Sequence, residues 1–260
     1  MIKLDYCYHT HTSRCGHASG KDEDYVLNAI KIGIKRFGFS DHIMLPGIKQ
    51  SHSRGDFSLL ADYLTSTRKL QEKYQGKIVI KVGFEAEYAD RFVDYYKDLL
   101  NSGKIDYLIL GQHFDFDNSD NPQYIKQYKN NINELYNYSD KLIKGMQSGL
   151  FKHVAHPDLF VTMFMKWNEH CEKVARAICE EAVKLDMPLE INIHAKRYWN
   201  NNSGYMVYPE EKFWEVASQY PIKVIVGYDA HNPLEFDNRL DLVKELIEKF
   251  KLHYLSDYSV

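Results

Sequence analysis

Residues 77–87 read KIVIKVGFEAE, and the same shape returns at 104–113 as KIDYLILGQH and at 221–231 as PIKVIVGYDAH. Each is a short run of β-branched and apolar residues that breaks, at its C-terminal end, into polar and titratable ones. Runs of this length with such boundaries are strand signals. Similar runs occupy 2–8, 36–40, 152–156 and 188–193. Between the runs lie longer stretches with apolar residues at helical spacing: 21–35, 57–75, 90–102, 124–149, 168–186, 209–220 and 235–250. Strands alternating one by one with helices predict an α/β fold with a parallel sheet. Neither G-x-G-x-x-G after the first strand nor G-x-x-x-x-G-K-[ST] occurs, so the nucleotide-fold fingerprints are missing. A (β/α) barrel is the better expectation, and in such barrels the chemistry sits at the C-terminal ends of the strands.

Length and composition narrow the field. The chain has 260 residues, 44% hydrophobic and 27% charged, the mix of an ordinary globular protein, and is read as one domain over 1–260. No apolar run approaches the roughly 18 residues of a membrane span. The opening MIKLDYCYHTHT has no basic region followed by an apolar stretch. Four cysteines (Cys7, Cys15, Cys171 and Cys179) do not make a disulfide scaffold in a chain this long, so the expected compartment is the reducing cytoplasm. A net charge of -3 offers no general reason to bind nucleic acid.

The strand ends are where the unusual residues gather. The first ends in Tyr8-His9-Thr10-His11, with His17 just beyond; the second in Ser40-Asp41-His42; the third in Glu85-Ala86-Glu87. The fourth ends in Gln112-His113, the fifth in His156-Pro157-Asp158, the sixth in Asn192-Ile193-His194 and the seventh in Asp229-Ala230-His231. Of the 12 histidines, only His52, His153, His170 and His253 lie elsewhere. Taken singly, a strand-end histidine is most often just a hydrogen-bonded or exposed side chain. His9-x-His11 says more, because period two puts both imidazoles on one face, about 7 Å apart along the backbone. Gathered at one rim, this many ionisable groups would be costly to bury without an ion to compensate them. A catalytic zinc takes about three protein ligands and keeps one position open. The candidates His9, His11, His17, His42, Glu85, His113, His156, Asp229 and His231 therefore imply two or three divalent ions. Imidazole with carboxylate and no thiolate cluster suits zinc, iron or manganese. Cys7 is expected in the core.

With these residues in hand, the chain resembles the polymerase-and-histidinol-phosphatase (PHP) superfamily. The matching pieces are His9-Thr10-His11 with His17, Phe39-Ser40-Asp41-His42, Gly83-x-Glu85, Gln112-His113, His156-Pro157-Asp158-Leu159 and Asp229-Ala230-His231, in family order. The resemblance implies a distorted (β/α)7 barrel with a three-metal site that hydrolyses phosphate esters. It implies that His9, His11, Glu85 and Asp229 hold one ion, that Glu85, His113 and His156 hold a second with Glu85 bridging, and that His17, His42 and His231 hold a third. Glu85 and Asp229 would then hold a metal-bridging hydroxide. Within the superfamily the similarity is greatest to the branch acting on L-histidinol phosphate. The departure lies after Glu190-Ile191-Asn192, where that branch has small residues and this chain has Ile193-His194-Ala195-Lys196-Arg197.

Metal chemistry makes a protein nucleophile unnecessary, and no G-x-S-x-G elbow is present. Arg197 is the expected phosphate clamp, since a guanidinium grips a dianion through paired donors. Lys49, His52 and Arg54, after the second strand, are expected at the phosphate entrance. The leaving-group acid stays open between an aquated metal, Asp158 and His194. The partner is expected to be a small-molecule phosphate ester, L-histidinol phosphate, with no nucleic acid and no membrane. Two other readings compete: a PHP phosphoesterase acting on nucleotides or DNA 3' ends, which should show a basic groove with stacking aromatics, and a non-catalytic binding module, against which the intact ligand set argues.

Overall fold

The computed structural model describes residues 4–198, 204–237 and 240–260, and only the backbone of residues 197–198. Its strands are β1 (Tyr6–Cys7), β2 (Arg36–His42), β3 (Val79–Ala86), β4 (Tyr107–Leu110), β5 (Leu189–Asn192), β6 (Lys223–Gly227) and β7 (His253–Tyr254). Its helices are α1 (Asp22–Lys31), α2 (Leu60–Lys73), α3 (Val93–Asn101), α4 (Ile132–Gln147), α5 (Glu169–Lys184), α6 (His194–Tyr198), α7 (Glu211–Ala217) and α8 (Asp241–Phe250). Every strand pair is parallel, in the orders β1-β2-β3-β4 and β5-β6-β7. Single bridging residues join the two pieces: Val154 pairs with both Leu110 and Leu189, and Thr10 pairs with Ala230. The result is an α/β fold around a curled parallel sheet. None of the described helices is long and apolar enough to cross a membrane.

Two strand expectations need correction. The run at 152–156 is not an extended strand; only Val154 bridges, although Val154 donates to Pro188 O at 3.1 Å and Ala155 donates to Leu110 O at 2.9 Å. The ladder stops there because His156 turns into the left-handed region at φ 29° and Pro157 has no N–H to offer. Conversely, β7 follows α8 without any clear alternation in the sequence. It takes its place because β6 has an open edge there, and Leu255 donates to Val224 O at 2.9 Å.

Helix starts are set by capping. Periodicity alone predicts a helix from 124, yet α4 begins at Ile132, because the Asn131 side chain accepts from the N–H groups of Asn133 and Glu134. Asn168 does the same for α5, accepting from His170 and Cys171. The short α6 follows β5 directly, and residues 199–203 beyond it lie outside the described residues.

The floor beneath the strand ends is filled by Tyr107. Its hydroxyl lies 2.9 Å from Tyr8 O and 3.0 Å from Phe39 O, so one phenol serves as a shared donor to two strands. Gly83 makes room for it: a Cβ there would sit 2.5 Å from the Tyr107 carbonyl oxygen and 2.6 Å from its ring. This is the physical reason for glycine two residues before Glu85. Gly83→Ala should destabilise the fold by about 1–3 kcal/mol through overpacking, a fall in Tm of roughly 2–12 °C in thermal unfolding. An unchanged Tm would show that Tyr107 can yield.

Candidate metal centre

The parallel register does the first work. His42 of β2 pairs directly with Glu85 of β3, so the two side chains emerge together where the strands end. Gly111, just past β4, clears the neighbouring position: a Cβ there would meet Glu85 Oε1 at 2.0 Å. Glu85 is 1% exposed, and its two oxygens face different groups. Oε1 lies 2.8 Å from His156 Nε2 and 3.5 Å from His113 Nε2. Oε2 lies 3.1 Å from His42 Nδ1, 3.4 Å from His9 Nε2 and 3.5 Å from His11 Nε2. Asp229 comes to the same place from the end of β6, with Oδ1 2.9 Å from His11 Nε2 and 3.4 Å from His9 Nε2. His231 completes the rim, its Nε2 3.0 Å from His17 Nε2 and its ring stacked 4.1 Å from that of His11.

All nine expected ligands therefore converge. Their donor atoms fall into groups no wider than 4.8 Å, among them His9, His11 and Glu85; His9, His156 and Asp229; and His11, His42 and His231. The set fits a group of cations. His9 Nε2, both nitrogens of His11, Glu85 Oε2 and Asp229 Oδ1 are buried and, close as they lie to one another, form no aligned hydrogen bond, and polar atoms left so are costly unless something binds them. Twice, imidazole nitrogens face each other across about 3 Å: His113 Nε2 with His156 Nε2 at 3.2 Å, and His17 Nε2 with His231 Nε2 at 3.0 Å. One shared proton can bridge each gap, and a cation there would be held by both lone pairs. The backbone is also bent to the purpose. His156 and Asp229 sit at φ 29° and 49°, where a residue with a Cβ is strained and persists only if its surroundings demand it.

Electrostatics sort these side chains. Burial lowers the imidazoles of His42 and His231 well below their ordinary value, and repulsion from His11 adds to it, so both stay neutral and keep a lone pair. Burial would raise the Glu85 and Asp229 carboxyls, but the surrounding histidines outweigh it and hold both well below the usual range. Burial pulls His9 down as well, yet Glu190, Asp229 and Glu85 together raise it well above the ordinary imidazole value.

Several residues that matter here are not among the nine candidates. Glu190 lies wholly inside, its oxygens 2.9 and 3.0 Å from His9 Nδ1, and orients that ring. A charged residue within the apolar run MPLEINI was the available signal. Asp41 accepts from the Thr12 hydroxyl and lies 3.5 Å from His11 Nδ1. Glu235 accepts the N–H of His231 at 2.8 Å. Cys15 reaches within 4.8 Å of His17 and His231, while Cys7 stays in the core with its sulfur on the His9 carbonyl.

A cavity of about 710 Å³ opens above the cluster, with His17, His42, His113, Asp229 and His231 on its wall. Lys49, His52, Lys126 and His194 line it too. Arg54 does not, which corrects its expected place at the phosphate entrance. It is 1% exposed and its guanidinium is committed to Glu87 Oε1 at 2.8 Å, Ile43 O at 2.8 Å and Gln50 Oε1 at 3.0 Å. Glu87 is likewise buried. Of the two side-chain candidates for leaving-group acid, His194 is on the wall. Asp158 is fully buried, accepts the Glu210 N–H at 2.7 Å, and is raised by burial to about 7. The Arg197 side chain lies outside the described residues.

Comparison with known proteins agrees with this geometry. A PHP domain matches residues 8–194. A Deinococcus radiodurans protein described as a probable histidinol-phosphatase is 26% identical over 247 residues, covering 92% of this chain and 91% of its own. A Bacillus subtilis histidinol-phosphatase is 23% identical over 252 residues, covering 86% of this chain and 92% of its own. Among solved structures, histidinol phosphate phosphatase from Lactococcus lactis, complexed with zinc, L-histidinol and phosphate, superposes with a TM-score of 0.70 at 19% identity, covering 97% of this chain and 96% of its own. With the PHP domain match spanning residues 8–194, most of its length, the chain belongs to the PHP family.

Proposed function

We propose that this chain is a metal-dependent phosphomonoesterase that hydrolyses L-histidinol phosphate to L-histidinol and phosphate, a step of histidine biosynthesis in the cytoplasm. The observation that carries the reading is the convergence of nine ligand-type side chains, several with orphaned buried donor atoms, on the floor of an open cavity. The similarity along nearly full length to proteins described as histidinol-phosphatases supports the substrate. We read the architecture as one domain, a distorted (β/α)7 barrel whose seven strand segments are β1–β4, the Val154 bridge, β5 and β6, with β7 added at the edge of β6.

In this reading the ions are two to three of zinc, iron or manganese. His9, His11, Glu85 and Asp229 would hold one, Glu85, His113 and His156 a second, and His17, His42 and His231 a third. When bound, such ions supply a water-derived nucleophile at neutral pH and positive charge against the phosphate oxygens. The chain does the rest. Glu85 and Asp229 fix the geometry at which the nucleophile is presented. Lys49 and Lys126 give the cavity wall a cationic side that suits the dianion, with the His52 ring beside them. Arg197, three residues after the cavity-lining His194, is proposed to grip the phosphate.

Elemental analysis of protein purified without added metal should find two to three transition-metal ions per chain; one or none would overturn the three-cluster arrangement. Glu85→Gln should lower turnover by more than the roughly 10- to 100-fold expected for an outer residue such as Glu87, since only Glu85 faces two clusters. Steady-state assays of both variants decide it, and equal losses would mean that the bridging carboxylate is misassigned. A phosphate-release screen across histidinol phosphate, AMP, p-nitrophenyl phosphate and short DNA with a 3' phosphate tests the substrate. Histidinol phosphate should lead in kcat/KM by at least about tenfold, because discrimination must come from its imidazole and ammonium ends. A nucleotide or DNA end in first place would leave the phosphoesterase chemistry standing and remove the assignment.

A further inference from the structure

Arg54 and Glu87 form an ion pair with both partners at 1% exposure, Nη2 to Oε1 at 2.8 Å. Neither is on the cavity wall. A buried pair of this kind is poor value as a stabiliser, because stripping water from two charges costs about as much as their attraction returns, and apolar residues of the same volume would serve the fold as well. The same Glu87 oxygen has a second partner, His113 Nδ1 at 3.2 Å. The opposite nitrogen of that ring, Nε2, faces Glu85 Oε1 at 3.5 Å and His156 Nε2 at 3.2 Å. An imidazole whose Nδ1–H is taken by a carboxylate must present the lone pair of Nε2.

We propose that Arg54 and Glu87 are positioning residues for His113: Glu87 fixes its tautomer and ring orientation, and Arg54 fixes Glu87. This rests on the reading of His113 as a metal ligand. Three features of the environment support it. Arg54 is held over the rings of Phe114 and Phe116, 5.6 and 4.8 Å from its guanidinium carbon, so it cannot swing away without losing apolar cover. Its other donors go to Ile43 O and Gln50 Oε1. Gln50 belongs to the segment Lys49–Ser53 that lines the cavity, so Arg54 ties the cavity wall to the carboxylate that orients the ligand. Glu87 lies one residue past the end of β3, the strand that carries Glu85, so the bridging carboxylate and the orienting one emerge from the same strand end.

The test is competition for zinc between the metal-stripped full-length protein and a chromophoric chelator, read alongside kcat and KM. His113→Gln should lose one ion's binding outright. Glu87→Gln should weaken the same ion about 10- to 100-fold and leave the others unchanged, with kcat falling and KM for the phosphate ester constant. Glu87→Asp should recover part of the loss. Should Glu87→Gln fold poorly, the pair Arg54→Met with Glu87→Met removes both charges together and leaves none buried alone; it must show the same zinc defect. If His113→Gln loses the ion while the Glu87 variants bind zinc like the parent, the positioning role is refuted. If His113→Gln keeps every ion, the ligand reading of His113 fails and this inference with it. A rise in KM alone in Arg54→Met, with zinc affinity intact, would instead make Arg54 a phosphate-binding residue.

Discussion

The Glu85 carboxylate is the constraint around which the rest is arranged. It is an anion in the interior, and each of its oxygens is surrounded by imidazole nitrogens between 2.8 and 3.5 Å away. Such a group is tolerable inside a protein only if positive charge meets it. The neighbouring strands are built to let it in. Gly111 has no Cβ because Glu85 occupies that space, and Gly83 has none because Tyr107 does. The register that pairs Glu85 with His42 follows from the β2–β3 ladder, which is the longest in the sheet.

Around that carboxylate the chain solves the same problem several times with different partners. His9 is oriented by Glu190, His113 by Glu87, and the N–H of His231 by Glu235. In the first two the carboxylate takes the ring Nδ1 that points away from the cluster, so that Nε2 is the nitrogen facing inward. Carboxylates therefore appear in two roles that composition does not separate. Glu85 and Asp229 face the cluster, while Glu87 and Glu190 stand back from it against histidine rings. The glycine at 227 belongs to this pattern, since a Cβ there would come within 2.1 Å of the Glu190 carboxyl carbon.

Arg54 shows where residue type misleads. An arginine in a polar loop after a strand reads as an anion clamp, and its neighbours Lys49 and His52 do line the cavity. Arg54 turns inward because Glu87, an acceptor just past the end of the next strand, and two phenylalanine rings lie within its reach. None of these is near it in sequence, so no local pattern could have announced the choice.

The chemistry of the cluster was legible from residues alone because strand periodicity and the parallel α/β alternation send the residue that follows each apolar run to the same rim. Seven separate strand ends carrying His, Asp or Glu at that position is a pattern that survives errors in any one boundary. The helices were legible in kind but not in extent, since the start of α4 depended on the cap at Asn131 rather than on apolar spacing. What the tertiary structure alone decided is pairing at a distance: Val154 reduced to a bridge by the left-handed turn at His156, β7 recruited to the open edge of β6, Glu190 set behind His9 across 181 residues, and Arg54 given to Glu87 rather than to the cavity. A side chain's type and its place in a strand are local properties, but the partner it finds is set by which elements the fold brings within about 3 Å of it, and hydrogen bonds reach no further than that.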